Sequence, residues 1–256
     1  AGKFTEADLP KLKIFANQLG GALVRAQTDE LLLAQTASLK EHEQELETLL
    51  QEKEVLLKEV YHRTKNNMQV VVGLLEMYSL KTKNVQTRGV LGEMTNRIYS
   101  MSMVHDLLYR SKNLAEIILS EYLDKLVTRL VAAYKTSKSE IDVLITAEPV
   151  PINIQIAVPL GLVINEIVTN SLKYAFPGDR DGQIEISARV QGENGLLLSI
   201  KDSGVGLKKG FDLDKSKTLG MRIIQDIVQL QLFGELIQKT SNGVEYIIQI
   251  PDLKLD

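Results

Sequence analysis

Four groups of residues have the types and spacing to do chemistry. The first is His62, inside the stretch Lys58–Tyr78. Leu57, Val60, Thr64, Met68, Val71, Leu75 and Tyr78 recur there at three- and four-residue steps, the pattern of a helix with one largely apolar face. At about 100° per residue, His62 falls roughly 160° from the centre of that stripe. A histidine that only filled a core would sit on the stripe. Asn66 and Gln69 share its face instead, with Lys65 to one side. An exposed imidazole can act as a nucleophile. A solvated polar face with an incidental histidine is the plain alternative.

The second group is Glu166, Asn170 and Lys173, spaced i, i+4, i+7 in Asn165–Tyr174 and so on one helical face. A carboxylate, an amide oxygen and an ammonium together suit a magnesium ion held against phosphates. The third is Asp202-Ser203-Gly204-Val205-Gly206, directly after a strand at Leu196–Lys201. Its carboxylate can accept from an exocyclic amine, and its glycines let backbone approach a flat ring. The fourth is Thr218-Leu219-Gly220-Met221, which opens a helix. Unpaired amides at a helix N-terminus attract phosphate oxygens. Between the third and fourth, Leu207–Lys217 is polar and lysine-rich, as a lid over a nucleotide would be.

The elements that must position these groups are legible in order. Phe4–Gln27 predicts a capped amphipathic helix bearing Leu12, Phe15, Leu19 and Leu23. From Thr28 to Tyr78 there is no proline and only Gly73. Leu32, Leu39 and Leu46 are spaced by seven, with Leu49, Leu56 and Val60 continuing the seam past the polar Gln35, His42 and Lys53. Such a seam needs a partner helix, which predicts a parallel homodimer. Lys81–Asn84 breaks the pattern, and a second amphipathic helix carrying His105 follows, giving an antiparallel hairpin. Two hairpins from two chains make a four-helix bundle. His105 and the methionines 94, 101 and 103 are read as packing.

Beyond Asn113 strands and helices interleave. Strands are predicted at 117–119, 141–147, 183–190, 196–201, 236–240 and 245–250. Helices are predicted from a Ser120 cap to Tyr134, over Asn153–Phe176 and over Leu219–Phe233. That order gives an α/β sandwich with a mixed sheet and one helical layer. Neither a phosphate-loop nor a dinucleotide fingerprint is present.

Composition sets outer bounds. The 256 residues are 44% hydrophobic and 25% charged, an ordinary globular balance. A net charge of -3 gives no general pull toward nucleic acid. No apolar run approaches the roughly 20 residues of a membrane span, and no signal-peptide pattern opens the chain. Cysteine is absent, which excludes disulfides and thiolate metal sites. The three histidines have no metal-ligand spacing. A cytoplasmic location is the default, and the absence of an initiator Met suggests a piece of something longer.

Taken in order, the last three groups resemble the N, G1 and G2 boxes of the ATP-binding (Bergerat-type) domain shared by sensor histidine kinases, type II topoisomerases, Hsp90 and MutL. Glu59–Gln69 resembles the phosphoacceptor box of the HisKA_2 group of histidine kinases. The first residues also resemble the last helix of a GAF sensory domain. The resemblance implies a GAF-like tail over 1–27, a coiled-coil signalling helix over 28–57, a dimerisation and phosphotransfer hairpin over 58–112, and a catalytic ATP-binding domain over 113–256. It implies ATP and Mg²⁺ as cofactors, His62 as phosphoacceptor and the receiver domain of a response regulator as partner. Asn170 is assigned to Mg²⁺, Asp202 to the adenine amino group, Gly204 and Gly206 to the adenine-side turn. Gly220, after Thr218, is assigned to the lid hinge, and Lys173 to the phosphates.

Two departures leave roles open. Arg63 follows His62 where more widespread histidine kinases have an acid, so Glu59, one turn back, is the local candidate base. Glu166 stands where many histidine kinases have Asn and where the topoisomerase and Hsp90 branches carry a water-activating Glu. The alternatives to an autokinase are an ATPase machine using Glu166 on water and a non-catalytic dimeric scaffold that binds ATP. Asn66, one turn beyond His62, is expected to orient a water for dephosphorylating the regulator.

Overall fold

The computed structural model describes residues 9–111, 115–134, 140–178, 180–207, 219–240 and 242–253. The chain divides into two compact units, Ala1–Leu56 and Leu57–Asp256. The described part of the first unit is the front of one helix, α1 (Leu9–Lys81). Its seam leucines Leu32, Leu39 and Leu46 are 59–68% exposed in the single chain. The predicted cap at Thr5–Asp8 lies outside the described residues.

In the second unit, α1 ends at Lys81 and α2 (Val85–Arg110) follows. The turn is held locally: Asn84 Oδ1 accepts from the Thr87 amide at 3.1 Å, and Arg88 Nη2 donates to the Thr82 carbonyl at 2.9 Å. After β1 (Glu116–Ile118) comes α3 (Leu119–Tyr134). It starts one residue before Ser120, so Ser120 lies within the helix and is not its cap. Leu119 bonds through its amide to the Val150 carbonyl at 2.9 Å.

β2 (Ile141–Ala147) leads to β3 (Pro151–Asn153), which pairs antiparallel with β1. The sequence pattern gave no sign of this three-residue strand. Asn153 is the N-cap of α4 (Ile154–Asn170) rather than its first residue; its Oδ1 accepts from the Ile156 amide at 3.0 Å. The helix then widens into a π turn, Ser171–Ala175. By length and composition Ile154–Ala175 could cross a membrane, but 72% of that window lies buried, as a core helix does. Gly161 sits under Tyr122 of α3; a Cβ there would lie 1.7 Å from the phenol oxygen, so only glycine lets α3 and α4 meet this closely.

β4 (Gly182–Gln191) and β5 (Gly195–Asp202) form a hairpin. α5 (Leu219–Asp226) runs into a second π turn, Ile227–Gln231, before β6 (Glu235–Lys239) and β7 (Glu245–Ile250). The sheet order is β2-β4-β5-β7-β6, with β2 and β4 parallel and the other pairs antiparallel, hence mixed as expected. Alternation sends Ile184, Ile186, Leu196, Leu198, Ile200, Ile248 and Ile250 into one core with the buried faces of α3, α4 and α5. The same two-residue step carries β5 on to Asp202, which the strand therefore delivers to the buried side.

Candidate active site

Asp202 is 3% exposed and has three donors. The Gly204 and Val244 amides donate to Oδ1 at 3.0 and 3.1 Å, and the Ser171 hydroxyl donates to Oδ2 at 2.9 Å. A carboxylate offers about four acceptor positions, so one on Oδ2 is left for a ligand N–H. The turn that follows needs its glycines. A Cβ on Gly204 would lie 2.4 Å from Ala175 Cβ and 2.5 Å from the Ala175 carbonyl oxygen, and Gly206 has φ +71°. Gly243, in the β6–β7 turn, has φ +111°, and a Cβ there would lie 1.8 Å from the Asp202 carbonyl oxygen. Gly243 thus lets that turn close over Asp202.

Asp202 lies in a cavity of about 420 Å³, whose lining includes Glu166, Asn170, Lys173, Gly206, Gly220 and Tyr246. That size suits a cofactor-sized ligand. Met221, Val244 and Tyr246 also line the cavity. Burial, then the charge of Asp202, pushes the Tyr246 phenol up to about 12. It stays neutral and donates to Met221 Sδ at 3.6 Å.

Glu166 and Asn170 of α4 and Lys173 of the following π turn, predicted to share a face, do line this cavity, but Glu166 and Lys173 are already engaged by α2. Arg97 grips Glu166 with both arms, Nε to Oε1 at 2.6 Å and Nη2 to Oε2 at 2.9 Å. Lys173 donates to Glu93 Oε1. Asn165 Nδ2 donates to the Asn96 carbonyl at 2.9 Å between these pairs. Hydrogen bonding to Glu166 raises the Arg97 guanidinium above its ordinary value; burial opposes this, and the charges of Glu166 and Glu93 add to it. Burial works to lower the Lys173 ammonium, but Glu93 and the neighbouring Tyr134 and Tyr174 carry it above its ordinary value. Neither Arg97 nor Glu93 was recognised from sequence.

These contacts bear on magnesium. Asn170 lines the cavity without a hydrogen bond among those described, so its amide oxygen fits the ion. Glu166 has its charge paired and one acceptor position on each oxygen taken by Arg97, which makes it a poorer ligand than Asn170 in this arrangement. No group of three or more His, Cys, Asp or Glu side chains lies close enough to hold a metal alone, among the described residues. Magnesium usually keeps few protein ligands and takes the rest from phosphates and water. A Cβ on Gly220 would lie 2.8 Å from Glu166 Oε2, so this glycine brings the start of α5 against the carboxylate. Thr218 and the predicted lid over 208–217 lie outside the described residues.

His62 is exposed on α1, as the periodicity predicted. Its ring lies 5.9 Å from that of Tyr109 on α2. Asn66 Nδ2 approaches His62 Nδ1 at 3.4 Å. Glu59, the candidate base, accepts from Arg63 Nε at 2.6 Å. Lys65 donates to Asp106, which also pairs with Arg110 Nε at 3.1 Å. Tyr61 packs beside His105, ring centroids 5.8 Å apart. Burial lowers the His105 imidazole, and its Nδ1 has no partner among the described residues.

A helical hairpin with an exposed histidine, joined to an α/β sandwich whose cavity combines a buried Asp, a glycine turn and an Asn-bearing helix, defines the histidine kinase class. Residues 59–134 match the HisKA_2 histidine kinase family, and residues 155–254 match the histidine kinase-, DNA gyrase B- and HSP90-like ATPases. The chain belongs to the histidine kinases. It is 30% identical over 211 residues to the sensor histidine kinase PdtaS of Mycobacterium tuberculosis, covering 78% of this chain and 40% of that protein. It is 25% identical over 198 residues to blue-light-activated histidine kinase 2 of Erythrobacter litoralis, covering 76% of this chain and 56% of that protein. The histidine kinase domain of the Erythrobacter litoralis EL346 blue-light activated kinase shares the fold, with TM-score 0.54 and 22% identity over 72% of this chain and 95% of that one. The chain spans 40% and 56% of the length of the two full-length relatives. Neither family match extends to the N-terminal segment that resembles a GAF-domain helix.

Proposed function

We propose that this chain is the kinase core of a cytoplasmic two-component sensor. ATP binds in the Asp202 cavity, its adenine amine donating to the open position on Asp202 Oδ2. The Asn170 amide would hold Mg²⁺, whose part is to neutralise charge on the phosphates. Lys173 leaves Glu93 for a phosphate oxygen. With the Asn66 amide turned so that its oxygen accepts from Nδ1–H, the unprotonated Nε2 of His62 attacks the γ-phosphorus in line, the bond to the bridging oxygen breaks, and ADP leaves. Catalysis of this kind is mostly positioning and charge neutralisation. The phosphoryl group then passes to an aspartate of a response-regulator receiver domain. The bare leucine seam of the first unit supports a parallel homodimer, in which a second copy covers Leu32, Leu39 and Leu46.

The observation that carries this reading is the pairing of an exposed His62 with a pocket in which the buried Asp202 keeps a vacant acceptor position. Incubation with γ-labelled ATP tests it. Label that is acid-labile, base-stable and lost in His62→Gln, with ATP affinity retained, is expected. Undiminished labelling in that variant, or label moved to His105, rejects the reading.

A further inference from the structure

Arg97 does more than tie α2 to α4. Its fork places one N–H on each oxygen of Glu166, in a pair whose side chains are only 16% and 9% exposed. Bidentate guanidinium–carboxylate pairing fixes orientation as well as charge. The start of α5 crowds the same Oε2 from the other side, since a Cβ on Gly220 would stand 2.8 Å from it. Glu166 nonetheless lines the nucleotide cavity beside Asn170. A carboxylate so placed is a base in waiting. To serve as one, it must present a free oxygen lone pair to a water in line with the γ-phosphorus. The arginine fork takes one acceptor position on each oxygen, pairs the negative charge and fixes the carboxylate plane toward α2, so the remaining lone pairs are less basic and cannot swing to such a water.

We infer that Arg97 decides the phosphoryl acceptor: by holding Glu166 in its fork it denies water a base at the γ-phosphate and reserves ATP for His62. The inference rests on the cavity being the ATP site. In the suppressed reaction, a water oxygen bonds to the γ-phosphorus as the bond to the β,γ-bridging oxygen breaks. The electron pair leaves on ADP, and the water proton passes to Glu166. Arg97 lines the cavity but spends its fork on Glu166, so it is a positioning residue acting through that carboxylate. The pair also joins elements that are 69 residues apart in sequence. Glu166 therefore stays in the fork for as long as α2 and α4 remain packed together.

The test uses the whole chain carrying His62→Gln, so that phosphate release reports hydrolysis alone. Arg97→Met in this background should hydrolyse ATP on the order of a hundredfold faster, the low end of what a positioned general base supplies. Adding Glu166→Gln should return the rate to that of the parent. Arg97→Lys, which keeps the charge but not the fork, should give an intermediate rate, and it decides the matter if the methionine variant does not fold. Without nucleotide, the Arg97 Nε–H resonance should shift when Glu166→Gln is introduced. ATP affinity is titrated in every variant. A parent that binds no ATP overturns both the assigned pocket and this inference. Variants that bind ATP yet hydrolyse it no faster, acceleration that survives Glu166→Gln, or an unmoved Arg97 resonance overturn the inference alone.

Discussion

Asn66 stands one helical turn beyond His62, with its side-chain nitrogen 3.4 Å from His62 Nδ1. Both side chains are exposed on the same face of α1. With the amide nitrogen toward Nδ1, the imidazole proton resides on Nε2; rotating the amide by half a turn offers an acceptor and moves it to Nδ1. A receiver domain docked on His62 would bring its aspartyl-phosphate over this amide, which could orient a water. Asn66→Ala is therefore expected to slow loss of label from a pre-phosphorylated regulator by roughly tenfold, with autophosphorylation nearly retained. The measurement follows label on the regulator with ADP present. If the variant strips phosphate at the wild-type rate but autophosphorylates poorly, the amide serves the kinase step through Nδ1 and this role is refuted.

Asp202→Asn keeps the Oδ1 bonds from Gly204 and Val244 but replaces the Oδ2 acceptor with a donor. Hydrogen bonds to charged groups contribute about 1.5–3 kcal/mol, so ATP affinity should fall roughly tenfold to a hundredfold, and the preference for ATP over GTP should narrow. Equilibrium nucleotide titration reads both. Asn170→Asp should instead lose Mg²⁺-dependent labelling while the helical dimer persists, checked by light scattering. Full labelling would mean that this face of α4 is only solvated.

Gly204→Ala tests the turn itself. A Cβ there meets the Ala175 carbonyl at 2.5 Å, backbone that cannot swing aside. Overpacking of this kind costs about 1–3 kcal/mol, and here it also displaces Asp202 from its amide donors. Denaturant melts should show the loss, together with weakened ATP binding. An alanine variant with wild-type stability and affinity would show that the turn relaxes freely.

How much of this was legible beforehand follows from the range of the interactions. Local signals carried the helix break at Lys81–Asn84, the ends of β2 and β7, the exposed His62 and the mixed α/β order. The sequence pattern ends the strand at Lys201, just before Asp202; β5 instead includes Asp202, and alternation turns it inward. What escaped was set by contacts between distant residues. Glu93 and Arg97, four apart on α2, read as an ordinary surface pair; their actual partners lie 80 and 69 residues away. The one usable signal was the reciprocal order, acid then base on α2 against Glu166 then Lys173 on α4. Gly243 and Ser171 acquire meaning only through Asp202. The π turns after α4 and α5 leave no compositional mark.

His105 supplies a pH prediction. Burial lowers its folded value below the ordinary 6.5, and Tyr61 is the ring packed beside it. Between the folded and ordinary values the unfolded chain binds the extra proton, so the contribution is fully present above about pH 6.5 and is lost as pH falls through the folded value. Melting temperature should decline through that window, and less steeply in His105→Gln. An identical decline in the variant would assign the effect to other groups.

The three donors to Asp202 come from the residue two positions on, from 31 residues before and from 42 residues after. The vacant corner of that carboxylate therefore exists only when sheet, core helix and hairpin are all assembled. A nucleotide that uses it is blind to partly folded chains, and so is a ligand of the native state alone. With ATP in the proposed site, mass action would make it a folding ligand: at a hundredfold excess over its dissociation constant, it would add about 2.7 kcal/mol to the native state. A sensor starved of ATP would lose part of its resistance to unfolding and proteolysis along with its phosphoryl donor, so that its abundance, and not only its output, would track the energy supply of the cell.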